Sequence, residues 1–486
     1  MGPLPDMPST PTSAPSALPR DTRLIALIVA SAFFMQTLDS AILATSLPQM
    51  ARSFGMPPVA LSVGITVYLL TAAACVPLSA WVADRFGARN VFGGAIALFT
   101  LASIACASAD SLLAFTLARA VQGVGGALMM PVGRMVVLRQ ADKRHLLEAT
   151  AFITWPALIG PVIGPVLGGL ITSWLNWRWN FWINLPFGLL AMALTWRFIP
   201  NHRKAERPAF DRVGAVLTGI TLVCLLYGLE LVSQQSGQGS WAAGLIALGL
   251  TTGVLSWRHL QVHPAPLLDV SVFRVPTFAL CNLSAGTAAR VCISATPFLL
   301  PLLFQLGFGW SAAASGAMVM AYFAGNLAMK SVTTRTLRRF GFRPVLLVNG
   351  LGVGLSLLAC ALFSPSTPLW FIVPVLVLAG LTRSMQFTSM NTLSFADLDD
   401  RLRGSAATVT SMLQQCTSML GTALGALLLN VSLQAHGRSQ LALVDFQWAF
   451  AVCGLLGLLG ALGFLRLPAH AGHELSGHAK PGGQVA

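Results

Sequence analysis

Long apolar runs, broken by short polar ones, recur along the whole chain. Fourteen of them are long enough to cross a hydrocarbon core, for which about 20 helical residues suffice. They lie at 24–47, 58–83, 90–108, 111–137, 147–172, 179–199, 212–233, 241–260, 277–305, 312–334, 345–364, 368–395, 405–430 and 447–466. Inside lipid, only helices and closed barrels satisfy every backbone N–H and C=O. Barrel strands alternate apolar and polar residues with period two, and these runs do not. The pattern predicts an all-α polytopic membrane protein with fourteen transmembrane helices.

Charge placement orients the bundle. With a cytoplasmic N-terminus and fourteen crossings, the inner segments hold twenty-two basic residues, among them Arg85, Arg89, Arg139, Lys143, Arg144, Arg203, Lys204, Arg207, Arg338 and Lys480. The outer loops hold three, Arg52, Arg178 and Arg438. Cytoplasmic loops carry the excess of Lys and Arg, so both termini are expected inside. The same asymmetry explains a net charge of +14 and leaves nucleic acid no part in the argument.

Composition agrees, with 55% hydrophobic and 9% charged residues against about 25% charged in soluble domains. Residues 1–20, rich in Pro, Ser and Thr, and 469–486 read as disordered tails, and no cleavable leader is read at the start. The eight cysteines fall inside the predicted spans without a pairing pattern, as expected of small core residues. No CxxC or HExxH occurs, and none of the four lysines follows a glycine. Metal ligands, cofactor sites and a Walker A loop are therefore not expected. Transport would draw on a gradient or a partner.

A repeat divides the chain. Arg85-Phe86-Gly87-Ala88-Arg89 lies between spans two and three, and Arg339-Phe340-Gly341-Phe342-Arg343 between spans ten and eleven. Each sits at the same place in a six-span block. Residues 21–200 and 276–468 are thus expected as two related six-helix bundles, with 201–275 as a two-helix insert and its flanking loops. Two related halves around a midplane site form a transporter plan.

Five motifs in order carry a resemblance to the major facilitator superfamily. Ala80-Trp81-Val82-Ala83-Asp84-Arg85-Phe86-Gly87-Ala88-Arg89 resembles its loop signature G-x-L-A-D-R-x-G-R-K, with Ala80 in place of the leading glycine. Leu117-Ala118-Arg119-Ala120-Val121-Gln122-Gly123 resembles the fourth-helix motif, and Gly160-Pro161-Val162-Ile163-Gly164-Pro165-Val166-Leu167-Gly168-Gly169 the fifth-helix antiporter motif. Leu38-Asp39 with Leu47-Pro48, and Trp177 through Pro186, are similar to signatures of the fourteen-helix drug:proton antiporter branch. Gln386 through Thr392 also resembles multidrug members. The resemblance implies two pseudo-symmetric six-helix bundles plus a two-helix insert. It implies alternating access and export of small molecules against protons, by a monomer in a bacterial inner membrane. It also implies that the fifth helix meets its pseudo-symmetric counterpart between the halves.

Each motif has a physical reading. Asp84, Arg85 and Arg89 around the Gly87 turn can pair with helix ends and neighbouring acids when the cytoplasmic side is shut, a gate latch; they also suit a plain positive-inside anchor. The second copy carries Arg338 where the first has Asp84, so its latch role is in doubt. Gly160, Gly164 and Gly168 share one helix face and permit close packing, while Pro161 and Pro165 add bending.

Charges within the spans cost several kcal/mol unless paired or hydrated. Asp39 lies roughly 22 Å from the inner face and Arg119 roughly 12 Å from the outer one, by helical rise. In a core of about 30 Å they share a depth, with Gln122 one turn along. The pair reads as a proton-exchanging site or as a permanent buried ion pair that fixes packing. Arg290 and Arg383 near the middle of spans nine and twelve suit an anionic substrate group, or else pair with backbone carbonyls or with Glu230. Arg134 and Lys330 stand at the margin of the same set.

A channel would need rings of filter residues, and an enzyme a nucleophile–base or metal constellation. Neither is read here; most of the eight histidines are expected in tails and loops, including His145, His202, His259, His263 and His436. The expected activity is proton-coupled efflux of small molecules, multidrug in breadth. The alternative is export of an organic anion held by the midplane arginines.

Overall fold

The computed structural model describes residues 19–140, 146–201, 210–234, 239–468 and 471–472. The expected tails lie almost wholly outside these residues. So do Lys143, Arg144, Arg203, Lys204, Arg207 and Lys480 of the basic inner segments, and His145 and His202. Every regular element among the described residues is helical.

The first half contains α1 (Arg20–Phe54), α2 (Ser62–Cys75), α3 (Ser79–Phe86), α4 (Ala88–Ala107), α5 (Leu112–Gln140), α6 (Leu146–Trp174), α7 (Trp179–Trp182) and α8 (Asn184–Phe198). Two helices follow, α9 (Arg212–Gln234) and α10 (Gly239–Val262). The second half contains α11 (Pro276–Asn282), α12 (Ala285–Leu302), α13 (Ala312–Phe340), α14 (Phe342–Ala361), α15 (Leu369–Ser394), α16 (Asp400–Ala435) and α17 (Leu443–Leu462).

Among the described residues, thirteen helical runs are long and apolar enough to cross a membrane. The sixth expected crossing is divided: α7 has four residues and α8 fifteen, with Ile183 between them. The ninth is broken at Leu283–Ser284 between α11 and α12. All eight cysteines are free, and seven are buried.

The repeat is visible in the backbone. Gly87 at φ 90° ends α3, and Gly341 at φ 73° ends α13. Side chains with a Cβ rarely adopt such angles, so a glycine makes each sharp reversal. At Gly87 a Cβ would also run into the Asn201 side chain.

The glycine face of α6 packs on α1. A Cβ at Gly164 would stand 2.6 Å from that of Ala41, and one at Gly168 2.9 Å from the Ile42 carbonyl. Gly169 instead faces α13: its Cβ would meet the Ala312 carbonyl and lie 3.0 Å from Ala313 Cα. Gly316 answers from α13, against Pro165 and Val166. The fifth crossing therefore does not pack on its pseudo-symmetric counterpart, α16. Pairing between the halves is crosswise, α6 with α13 and α2 with α16. A two-fold between the halves carries each interface helix onto the counterpart of its neighbour, and this arrangement obeys it.

Apolar packing joins the halves at the end where α1 finishes. One cluster there runs from Leu43, Leu47 and Trp177 to Phe298, Phe304 and Phe450. Gln305 Nε2 adds a 2.9 Å bond to the Thr45 carbonyl across the same seam. At the opposite end each half has its own cluster, around Phe33 and Phe92 in the first and around Phe342 and Phe464 in the second. A further cluster brings Leu226 of α9 together with Leu70 and Val409, setting α9 against α2 and α16.

Candidate functional site

The first half buries one acid and one base against each other in its middle. Asp39 on α1 and Arg119 on α5 meet at 2.8 Å with both side chains 1% exposed. An unpaired ion at this depth would be costly, and the surrounding polar groups serve this pair. Gln122 Nε2 donates to Asp39 Oδ1 at 3.0 Å, and Asn184 Nδ2 donates to the same oxygen at 2.7 Å. Arg119 also donates to Gln122 Oε1 at 2.6 Å and, through Nε, to the Gly64 carbonyl at 3.0 Å. Its guanidinium lies 4.4 Å from the centre of the Tyr68 ring, within cation–π range. Ser103 accepts from both Gln122 and Asn184, at 2.8 and 3.1 Å.

Helix geometry explains the convergence. Arg119 and Gln122 are three residues apart and share a face. Gly126, a turn further on, leaves room for Tyr68 and for Gln36, whose Nε2 a Cβ there would approach to 2.9 Å. The break at Ile183 starts α8 at Asn184 and turns its amide onto Asp39. Sequence reasoning found Asp39, Arg119 and Gln122. It quoted Asn184 only within a motif and missed Ser103 and Tyr68.

The loop residues sit apart from this site. Asp84 pairs at 2.7 Å with Arg139 at the end of α5, partly exposed. Arg85 lies over the rings of Trp81 and Phe86, and Arg89 reaches Asn90 at 3.5 Å. The motif's acid thus takes Arg139 as partner, which its own sequence neighbourhood does not supply.

Arg290, Arg383 and Glu230 are not brought together. Arg290 on α12 is buried and donates to the Cys281 carbonyl at 2.7 Å, to Asn282 Oδ1 at 3.1 Å and to Asn391 Oδ1 at 3.0 Å. The break at 283–284 frees that carbonyl. Arg383 on α15 is half-buried among Tyr322, Phe323 and Phe387, all within 5.6 Å, and donates to Tyr322 Oη at 3.2 Å. Lys330 lies nearby and donates to Thr388 Oγ1 at 2.6 Å. Among the described residues neither Arg383 nor Lys330 has a carboxylate partner. Glu230 is buried on α9, where Ser62 Oγ donates to it at 3.4 Å, away from both arginines.

Comparison with known proteins places this geometry. The Major Facilitator Superfamily matches residues 29–422. A protein of Escherichia coli O6:H1, provisionally named multidrug resistance protein MdtD, is 39% identical over 86% of this chain and 88% of its own length. One of the same name from Salmonella heidelberg is 38% identical over 86% of this chain and 89% of its own. Among solved structures, a D-xylose-proton symporter aligns with a TM-score of 0.67 at 16% identity, covering 92% of this chain and 98% of that one. The human organic anion transporter MFSD10 aligns at 0.61 and 15%, covering 92% and 100%. At such identities the structures speak for the fold alone. The matched stretch, the relatives and the helical plan agree, and this multi-pass membrane protein belongs to the Major Facilitator Superfamily.

Proposed function

We propose that the protein is a proton-coupled antiporter that exports small molecules across a bacterial inner membrane by alternating access. The observation that carries this reading is the buried Asp39–Arg119 pair with its Gln122 and Asn184 donors. A carboxylate that faces a cation favours ionisation, and one left in apolar surroundings favours the proton. If Arg119 withdraws when the halves reverse, proton affinity alternates with conformation, and coupling needs such differential binding.

The direction is consistent with export. With both termini cytoplasmic, the larger cluster shared by the halves lies at the outer end, and this reading assigns the ion-paired acid to a form closed to the outside. An exporter driven by inward proton flow releases its proton to the cytoplasm and so faces inward with the acid ionised. Fusion reporters after Pro200 and Pro264 should then read inside, and one at Gly239 outside; the reverse at any position would invert the scheme. The relatives' name supports a multidrug substrate range.

The test is flux in proteoliposomes under an imposed pH gradient. Asp39→Asn, a fixed neutral mimic of the protonated acid, should abolish uphill transport while downhill exchange persists. Uphill accumulation by this variant would make Asp39 structural and leave Glu230 as the next carboxylate to examine. Arg119→Lys should also fail, because an ammonium cannot reproduce the planar fork that reaches Asp39, Gln122 and Gly64 at once.

A second reading, export of an organic anion, is favoured by Arg383 and Lys330. Two half-buried cations that have no acidic partner among the described residues, beside three aromatic rings, suit an anionic aromatic or carboxylate group.

A further inference from the structure

The insert carries chemistry that the proton site does not use. Asp211, just before α9, and His259 and His263, at the end of α10, present ligand atoms within 4.8 Å of one another. Asp211 is 3% exposed, and its carboxylate is held from several sides. Gly214 N–H donates to Oδ1 at 2.7 Å, Leu267 N–H to Oδ2 at 3.1 Å, and His259 Nε2 meets Oδ1 at 2.8 Å. These bonds fix the orientation of the carboxylate, which makes it a pre-oriented oxygen donor. The two imidazoles are four residues apart on one helical face, with ring centres 5.0 Å apart. His263 Nδ1 accepts a 3.2 Å bond from Ala265 N–H.

We propose that Asp211, His259 and His263 form a site for a divalent transition metal of the zinc class. Two imidazole nitrogens and one carboxylate oxygen suit zinc, whose bonds of about 2.0–2.1 Å place neighbouring ligand atoms about 3.3 Å apart in a tetrahedron. The cluster reaches that spacing by drawing together ligand atoms that all lie within 4.8 Å of one another and by widening the 2.8 Å His259–Asp211 contact. His259 would ligate through Nε2, with its ring proton on Nδ1, and His263 through one of its ring nitrogens. A water takes the fourth position. The Gly214 and Leu267 N–H groups remain as outer partners of the ligating carboxylate, as metal-bound carboxylates require.

The ion would staple the start of α9 to the end of α10. It would also fix Phe210, whose ring lies 4.2 Å from that of Trp81 on α3, three residues from Asp84. Loop and insert would then be held together on the same face of the molecule. This site is separate from the Asp39 pair and does not depend on proton coupling.

The experiment uses purified full-length protein in detergent, titrated calorimetrically with Zn2+ and, separately, with Co2+ followed by visible absorption. We expect one Zn2+ per chain with micromolar or tighter affinity, and a Co2+ spectrum of the intense four-coordinate kind. His259→Gln and His263→Gln should each weaken Zn2+ binding at least tenfold, and His263→Gln should do so without lowering the metal-free melting temperature. Absence of saturable binding by the unsubstituted protein would overturn the proposal, whatever the variants do. So would equal affinity in the double variant, which would assign the metal to other histidines as an adventitious ion only.

Discussion

Asn184 Nδ2 lies 2.7 Å from Asp39 Oδ1, closer than Gln122 at 3.0 Å on the same oxygen. The acid is thus gripped from α8 as well as from α5, and the neutral amide helps to hold a charged group in lipid. A hydrogen bond to a charged group contributes about 1.5–3 kcal/mol, and about 1.4 kcal/mol is a factor of ten. Asn184→Ala should therefore lower uphill efflux about tenfold to a hundredfold, while Asn184→Gln, which keeps the donor, retains more of it. Flux per folded molecule in proteoliposomes checks this, and equal rates for Ala and the unsubstituted protein would mean that Asn184 only fills space.

That residue also marks where sequence reading stops. Asp39 and Arg119 stand out because a charge in an apolar run is expensive, and helical rise alone puts both at one depth. An asparagine in Trp-Asn-Phe-Trp-Ile-Asn carries no such penalty, and its approach depends on the helix break at Ile183, ahead of Pro186, which has no N–H to offer the Trp182 carbonyl. Arg290 is similar: its charge is visible, but its partner is a carbonyl freed at Leu283–Ser284. The glycine stripe of α6 was legible from i, i+4 spacing. Which helices it meets was not, because spacing defines a face and not its neighbour. Asp211 and His259 are 48 residues apart, so only the folding of α9 against α10 shows that they touch.

The gate reading concerns Asp84 and Arg139. Their side chains are 13% and 29% exposed, and pairs of that kind contribute on the order of 0–1 kcal/mol to stability. If the pair acts as a gate latch, Asp84→Asn should leave the melting temperature nearly unchanged and yet reduce transport severalfold. Arg139→Ala should match it, and the exchange Asp84→Arg with Arg139→Asp should recover part of the rate. Normal flux in Asp84→Asn would reduce the loop to a topology signal.

The interface of α6 with α13 should be intolerant of volume. A Cβ at Gly169 would contact Ala313 Cα at 3.0 Å, and one at Gly316 would reach Val166 Cα at 3.2 Å. Both meet backbone, which cannot rotate away. Overpacking of this sort costs about 1–3 kcal/mol, and under the proposed alternating access the strain would fall on a seam between the halves. Gly169→Val and Gly316→Val are expected to reduce transport more than tenfold with protein still in the membrane. Gly219→Val, on an open face of α9, should have little effect and serves as the control.

Substrate charge can be read from Arg383. It sits among Tyr322, Phe323 and Phe387 and donates to Tyr322 Oη, and Lys330 next to it donates to a threonine. Two cations in a half-buried aromatic setting repel each other, and no acid among the described residues offsets them. An incoming anion would relieve that repulsion and gain directed hydrogen bonds from the guanidinium; a lipophilic cation would add to it. If the substrate is anionic, Arg383→Ala should raise the concentration needed for half-maximal transport at least tenfold, and Arg383→Lys should restore only part of the loss. If it is cationic, Arg383→Ala should leave transport unchanged or improve it. The two outcomes have opposite signs, so a panel of aromatic carboxylates and quaternary ammonium compounds, assayed with this one variant, decides between the multidrug and organic-anion readings.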